Sequence, residues 1–182
     1  HPIALENLEE DLSPDSARVL RQQLFDKAIT IAANEDNSLP LKNITEKKTA
    51  SVSIDAKGYS DFQKYVYQFA DINSFAIPNE SKELLQSYLD TLSSYEQVII
   101  DLHGMSRLAS KDYGISSNTL AFIETLSKRT KMILVLFGSP YSLKYFDAQK
   151  SVIVAYEDND ASNLSAANVL FGGLPALGRL PV

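Results

Sequence analysis

The sequence predicts an α/β three-layer sandwich, α/β/α, built on a mostly parallel sheet. Three observations carry that expectation. Short apolar, β-favouring runs alternate along the chain with segments whose apolar residues recur at helical spacing. Two of the runs, Val98-Ile99-Ile100 and Met132-Ile133-Leu134-Val135-Leu136, are continuously apolar, as expected of strands covered on both faces. Finally, with 182 residues, 45% of them apolar and 22% charged, the chain has enough material for one domain with a real core.

Taken in order, residues 1–12 are acidic and weakly periodic, and read as a connector from a preceding domain, with the α/β domain itself spanning 13–182. Ser13-Pro14-Asp15 has the composition of a helix start: a hydroxyl cap, Pro at the first helical position and an acid against the dipole. Ala17, Leu20 and Leu24 then share one face. A β-favouring run from Lys27 to Ala33 follows, broken by the turn composition Asn34-Glu35-Asp36-Asn37. Strands are expected at Ala50–Ile54, Ile72–Ile77, Gln97–Leu102, Lys131–Phe137 and Ser151–Tyr156. The helices between them are marked by Phe62, Tyr65, Val66 and Phe69, by Leu85, Tyr88, Leu89 and Leu92, and by Leu120, Ile123 and Leu126. Leu164, Ala167 and Leu170 mark the last one.

Charge and composition exclude several function classes. A net charge of −6 without a basic stripe repels nucleic acid and anionic membranes, so neither is an expected partner. No apolar run is long enough to insert into a membrane. With Cys 0 there are no disulfides, no thiolate nucleophile and no Cys-ligated metal, and with His 2, one of them terminal, a His-based metal site is not expected. No cofactor is expected either. His1-Pro2-Ile3-Ala4 shows neither a charged nor an apolar signal region, so no signal peptide is expected here.

Ligands of open α/β sheets gather beyond the carboxyl ends of the strands, and three such ends carry chemistry. Asp101-Leu102-His103-Gly104-Met105-Ser106-Arg107 combines a carboxylate, an imidazole and a hydroxyl. It reads as loop structure or an interdomain contact, as a contributor to a neighbouring active site, or as an autonomous site built on His103 and Ser106. Ser106 lacks the G-x-S-x-G elbow of a hydrolase nucleophile. Phe137-Gly138-Ser139-Pro140-Tyr141 reads as a structural turn in which Gly138 permits a positive φ and Ser139 precedes a short helix. A phosphate loop would need more glycines than it has. Glu157-Asp158-Asn159-Asp160 reads as the cap of the helix that begins near Ala161 rather than as a cation site. The tyrosines (Tyr 9, Trp 0) form no evident sugar-stacking platform.

Two blocks add a resemblance. Ile29-Thr30-Ile31-Ala32-Ala33-Asn34 with Ser38-Leu39-Pro40-Leu41-Lys42-Asn43 stands near the front, and the chain closes on Phe171-Gly172-Gly173-Leu174-Pro175-Ala176-Leu177-Gly178-Arg179-Leu180-Pro181-Val182. Together they resemble the C-terminal α/β domain of family 3 glycoside hydrolases, with its L-P-L segment and closing F-G-x-x-x-P-x-G-x-L-P-V run. The F-G-x-P-Y and A-Y-E-x-x turns are similar too. The resemblance implies an N-terminal TIM-barrel domain as partner, holding the nucleophilic Asp, and a carbohydrate substrate reached through that parent. The parent is then periplasmic or secreted. In the β-glucosidase branch an acid/base Glu lies in an E-G-x-D-R-like loop of this domain. Here that place reads His103-Gly104-Met105-Ser106-Arg107, without Glu, which points to the bacterial β-N-acetylhexosaminidase branch, whose acid/base pair is on the barrel. The implied role is therefore non-catalytic. Asp101, His103, Ser106, Arg107, Ser139, Glu157 and Asp158 are the candidates for lining the cleft or contacting the other domain, and no catalytic residue is expected in this chain. The rival reading is a self-contained α/β module with a closed apolar pocket at the sheet's switch point.

Overall fold

A computed structural model describes residues 14–44 and 46–181. The proposed connector 1–12 and the cap Ser13 lie outside these residues. Strands β1 (Thr30–Asn34), β2 (Thr49–Ile54), β3 (Asn73–Ile77), β4 (Gln97–Leu102), β5 (Lys131–Leu136) and β6 (Ser151–Val154) form one sheet in the order β1-β6-β5-β4-β2-β3. β1 runs antiparallel to β6, and every other pairing is parallel. The five parallel strands thus follow the doubly wound order in which the winding reverses between β2 and β4.

Helices α1 (Asp15–Ala28), α2 (Asp61–Phe69), α3 (Lys82–Ser93), α4 (Ser117–Ser127) and α5 (Asp160–Phe171) complete the described structure with two short 3₁₀ turns. None is long and apolar enough to cross a membrane. On one face Leu85, Leu89 and Leu92 of α3 and Phe122, Ile123 and Leu126 of α4 pack on Val98, Ile100 and Leu134. On the other, Phe62 and Val66 of α2 and Val169 and Leu170 of α5 pack on Ile99, Ile133 and Ile153. The odd and even residues of β4 and β5 therefore feed separate cores, which is why both strands are apolar without alternation. The three-layer α/β/α sandwich expected from the sequence is the observed architecture.

The helix ends follow local rules. Ser60 caps α2 in a capping box with Gln63, Ser81 and Ser116 accept from backbone amides at the starts of α3 and α4, and Asn159 caps α5. α5 stops at Gly172, whose φ of 77° is the left-handed ending glycine accepts without strain.

Two expectations need correction at the front of the domain. Pro14 sits at the N-cap of α1 rather than inside the helix. Lys27 and Ala28 still belong to α1, so the strand starts only at Thr30. Leu20 and Leu24, whose spacing places them on one face, are 56% and 60% exposed, so that face points outward. It is the polar side of α1 that faces the domain: Gln22 donates to Ser165 Oγ at 2.8 Å, and that hydroxyl donates to Asp26 at 2.7 Å. Periodicity defines a face but not which neighbour it meets.

The two sequence blocks that stand at opposite ends of the chain meet in space. The Asn34 side chain closes on Leu39, donating to its carbonyl at 2.9 Å and accepting from its amide at 3.0 Å. The Leu41 amide donates to the Leu170 carbonyl at 2.7 Å. The closing run turns back along the start of β1, where the Gly178 amide donates to Ile29 O at 3.2 Å. A Cβ at Gly178 would collide with the Ala28 carbonyl and the Thr30 hydroxyl, so only glycine allows that approach.

Candidate functional site

The carboxyl end of β4 lies beside the point where the winding reverses. Asp101 is the last-but-one residue of that strand and falls on the same face as Ile99, among the apolar residues under α2 and α5, with no exposed surface. A buried carboxylate needs partners. The Ser60 hydroxyl donates to its Oδ2 at 2.6 Å, and His103 Nε2 approaches the same oxygen at 2.9 Å. Ser60 serves both neighbours, because its Oγ also accepts from the Gln63 amide at 3.0 Å. Asp101 Oδ1 is buried without a partner among the described residues.

His103 is itself buried, stacked on the Phe137 ring at 4.6 Å with the planes 9° apart. Its Nδ1 meets Asp158 Oδ2 at 3.0 Å, so each ring nitrogen faces a carboxylate. Burial opposes charge on the ring, but the hydrogen bonds and charges of Asp101 and Asp158 outweigh it and hold its pKa up at about 9. For Asp158, desolvation pushes upward, while His103 and the Asn163 amide outweigh it and keep the carboxyl below its ordinary range. The group at neutral pH is an imidazolium clamped between two carboxylates, tying the end of β4 to the turn after β6.

Two grooves flank this clamp. The larger, about 600 Å³, lies between the loops after β4, β5 and β6 and is bordered by Arg107, Ser139, Tyr141, Glu157 and Asp158. Arg107 and Glu157 approach to 3.9 Å across it, both exposed. Tyr141 is 61% exposed at its rim, an aromatic face not singled out from the sequence. The second groove, about 370 Å³, is bordered by Asp55, Ser60, Lys64, His103 and Asp158. Asp101 lies beneath the site, whereas Ser106 borders neither groove. The Ser106 hydroxyl accepts from the Leu108 amide at 3.1 Å and its amide donates to Tyr113 O at 2.7 Å, a turn-forming role. With both His103 nitrogens occupied, His103 activates no hydroxyl nucleophile in this arrangement.

The two turns differ in detail from their sequence readings. Gly138 does not adopt a positive φ; glycine is required there for room, since a Cβ would stand 2.6 Å from Met105 Cβ. In the acidic turn the carboxylates divide their work. Asn159 is the cap, accepting from the Ser162 amide at 3.1 Å, while Asp158 goes to His103 and Asp160 accepts from the Tyr65 hydroxyl at 2.5 Å. That bond leads the causes that push the Tyr65 phenol up to about 12. Among the described residues no cluster of acids and imidazoles is arranged to hold a metal ion.

Ser60 belongs to the site, although the sequence does not single it out. Its capping box with Gln63 is a sequence signal for a helix start, but the hydroxyl proton goes to Asp101, far away in the chain.

No family model matches the sequence, and no curated protein matches it. Solved structures do. The chain aligns over its whole length with 20% of a fungal multi-domain family 3 (GH3) β-N-acetylglucosaminidase, at TM-score 0.74 and 17% identity. A GH3 β-N-acetylglucosaminidase from Paenibacillus sp. str. FPU-7 matches over 93% of this chain and 33% of its own, at TM-score 0.75 and 18% identity. This chain has the fold of one region of family 3 glycoside hydrolases. A β-glucoside phosphorylase shares that fold over 95% of this chain and 32% of its own, at TM-score 0.68 and 16% identity. The chain therefore spans between a fifth and a third of these proteins.

Proposed function

We propose that the chain is the C-terminal α/β domain of a family 3 glycoside hydrolase, one that docks on an N-terminal TIM-barrel domain and carries no catalytic residue. The observation that carries the reading is the fold match: nearly all of this chain corresponds to a minor part of longer enzymes. The outward stripe of Leu20 and Leu24 supports docking, because such a stripe on a surface helix gains free energy only when covered. Val19, 57% exposed, adds to the same helix surface.

The loops after β4, β5 and β6 then form one wall of the parent's sugar cleft, with Tyr141 as an aromatic face and Arg107, Ser139 and Glu157 as hydrogen-bonding groups. Domain 13–182 follows a connector at 1–12. The parent hydrolyses β-N-acetylglucosaminides. Two features support that choice over a β-glucosidase: the glutamate-free loop at His103–Arg107, and the higher TM-scores of the two β-N-acetylglucosaminidases, 0.74 and 0.75, than of the β-glucosidases that share the fold, 0.62 to 0.67. The rival ligand-binding module requires a closed apolar pocket at the switch point, and charged and hydroxyl side chains border the groove there.

The test is hydrolysis of chromogenic β-N-acetylglucosaminide and β-glucoside by the chain alone and mixed with separately produced barrel domain. Silence alone and turnover of the β-N-acetylglucosaminide on mixing is the expected result. Turnover by the isolated chain would sink the non-catalytic reading.

A further inference from the structure

At the opposite end of the sheet from the His103 clamp, where β5 and β6 begin, Lys128, Arg129, Lys131 and Lys150 border one groove of about 380 Å³. Asp36 is the carboxylate that borders it with them. This concentration of cations stands out in a chain of net charge −6. Two of the four have a local duty. Lys128 and Arg129 follow the carboxyl end of α4, where cations answer the exposed carbonyls. Their carboxylate partners, Glu124 at 2.6 Å and Asp90 at 3.0 Å, are 65% and 97% exposed, so neither cation is strongly neutralised.

Lys131 and Lys150 stand at the entries to β5 and β6 and have no helix end to serve. Lys131 approaches Asp36 Oδ2 only to 3.6 Å. The other oxygen of Asp36 is saturated by the Ser38 amide and hydroxyl and by the Ser151 hydroxyl, at 3.2, 2.6 and 2.7 Å. Lys150 makes no ion pair with any described residue.

A second, independent feature is Gln149. It borders the same groove, and its side-chain amide makes no hydrogen bond within the described residues and is not among the polar atoms buried without a partner, so it is open to a ligand from the groove.

We infer that this groove is a binding site for a doubly charged oxyanion of the phosphate class, either free or carried on a small molecule. Lys128, Lys131 and Lys150 supply point charges around it, and the Gln149 amide supplies a directed donor. A single carboxylate has too few acceptor positions to engage this set, whereas a phosphate presents three or four oxygens. The site is independent of the glycosidase reading, since it lies away from the loops assigned to the sugar cleft.

The experiment is a titration of the ¹⁵N-labelled 182-residue chain at low ionic strength, with inorganic phosphate in one arm and glucose 6-phosphate in the other. Saturable shifts confined to residues 127–132 and 148–150 are expected. Lys150→Gln removes an exposed charge-assisted contact, so affinity falls roughly tenfold while the folded spectrum is kept. Equal affinity for the two ligands assigns free phosphate, and tighter glucose 6-phosphate binding assigns a phosphorylated small molecule. Linear shifts spread over all the lysines would overturn the inference, as would unchanged affinity in Lys150→Gln. Saturable binding of a short polyglutamate peptide with no response to phosphate would overturn it too, and would assign the face to an acidic protein.

Discussion

Replacing His103 by Gln removes the charge between Asp101 and Asp158 while keeping a polar side chain of similar reach. In the folded chain the ring's pKa stands at about 9, against 6.5 for a free imidazole. At about 1.4 kcal/mol for each tenfold change in proton affinity, the clamp contributes about 3 kcal/mol of stability. His103 is 4% exposed, so solvent screening takes little from that figure. The raised pKa sets the sign. The contribution is complete below pH 6.5, where folded and unfolded chains both hold the proton, and it fades as pH rises through about 9. Asp158, held low, works at the other end: its contribution is lost as pH falls through and below the ordinary carboxylate range. The assay is urea unfolding of the native chain and His103→Gln between pH 5.5 and 10. At pH 6 the variant is expected to be about 3–5 kcal/mol less stable, since it also leaves Asp101 buried with Ser60 as its one remaining strong partner. For a chain of this size that corresponds to a Tm lower by about 10 °C. The gap between the two proteins should narrow by about 3 kcal/mol between pH 6.5 and 10. A constant gap across that range, or one that widens with pH, would show that the ring is buried neutral and would refute the argument.

Gly138→Ala places a methyl against Met105, 2.6 Å from its Cβ, and should cost about 1–3 kcal/mol in denaturant unfolding. Adding Met105→Ala should recover part of that loss, and no recovery would mean that the strain lies elsewhere. Asn159→Ala removes the cap of α5 and should lower stability by about 1 kcal/mol, read as the shift of the urea midpoint at constant slope. The double change Leu20→Ser with Leu24→Ser should leave the isolated chain within about 0.5 kcal/mol of the native one per site, since both side chains are more than half exposed. The same variant should associate measurably more weakly with the barrel domain in calorimetry; equal affinity would move the docking surface off α1.

Much of the fold was legible because it rests on local and near-local physics. Val98-Ile99-Ile100 and Met132–Leu136 could only be strands covered on both sides, and they are the two central ones. Caps such as Asn159 and the closing Gly172 follow from backbone groups that every helix leaves unpaired. The candidate site was legible by position rather than by role. The strand-end rule drew attention to Asp101, His103, Glu157 and Asp158, but spacing along the chain cannot show that His103 faces two carboxylates, one of them more than fifty residues away. Nor could it show that Ser106 spends its hydroxyl on its own turn.

By itself, then, the sequence determined the class of fold, the strands and helices that compose it, and the exclusion of cysteine chemistry. Those depend on composition, and on periods of two and 3.6 residues. Tertiary structure alone decided the strand order, the outward turn of Leu20 and Leu24, the meeting of the L-P-L segment with the closing glycine run, and the convergence of Ser60, Asp101, His103 and Asp158. Each of these pairs groups far apart in the chain, and long-range pairing is settled by which buried surfaces and buried charges can satisfy one another, a quantity that no local window contains.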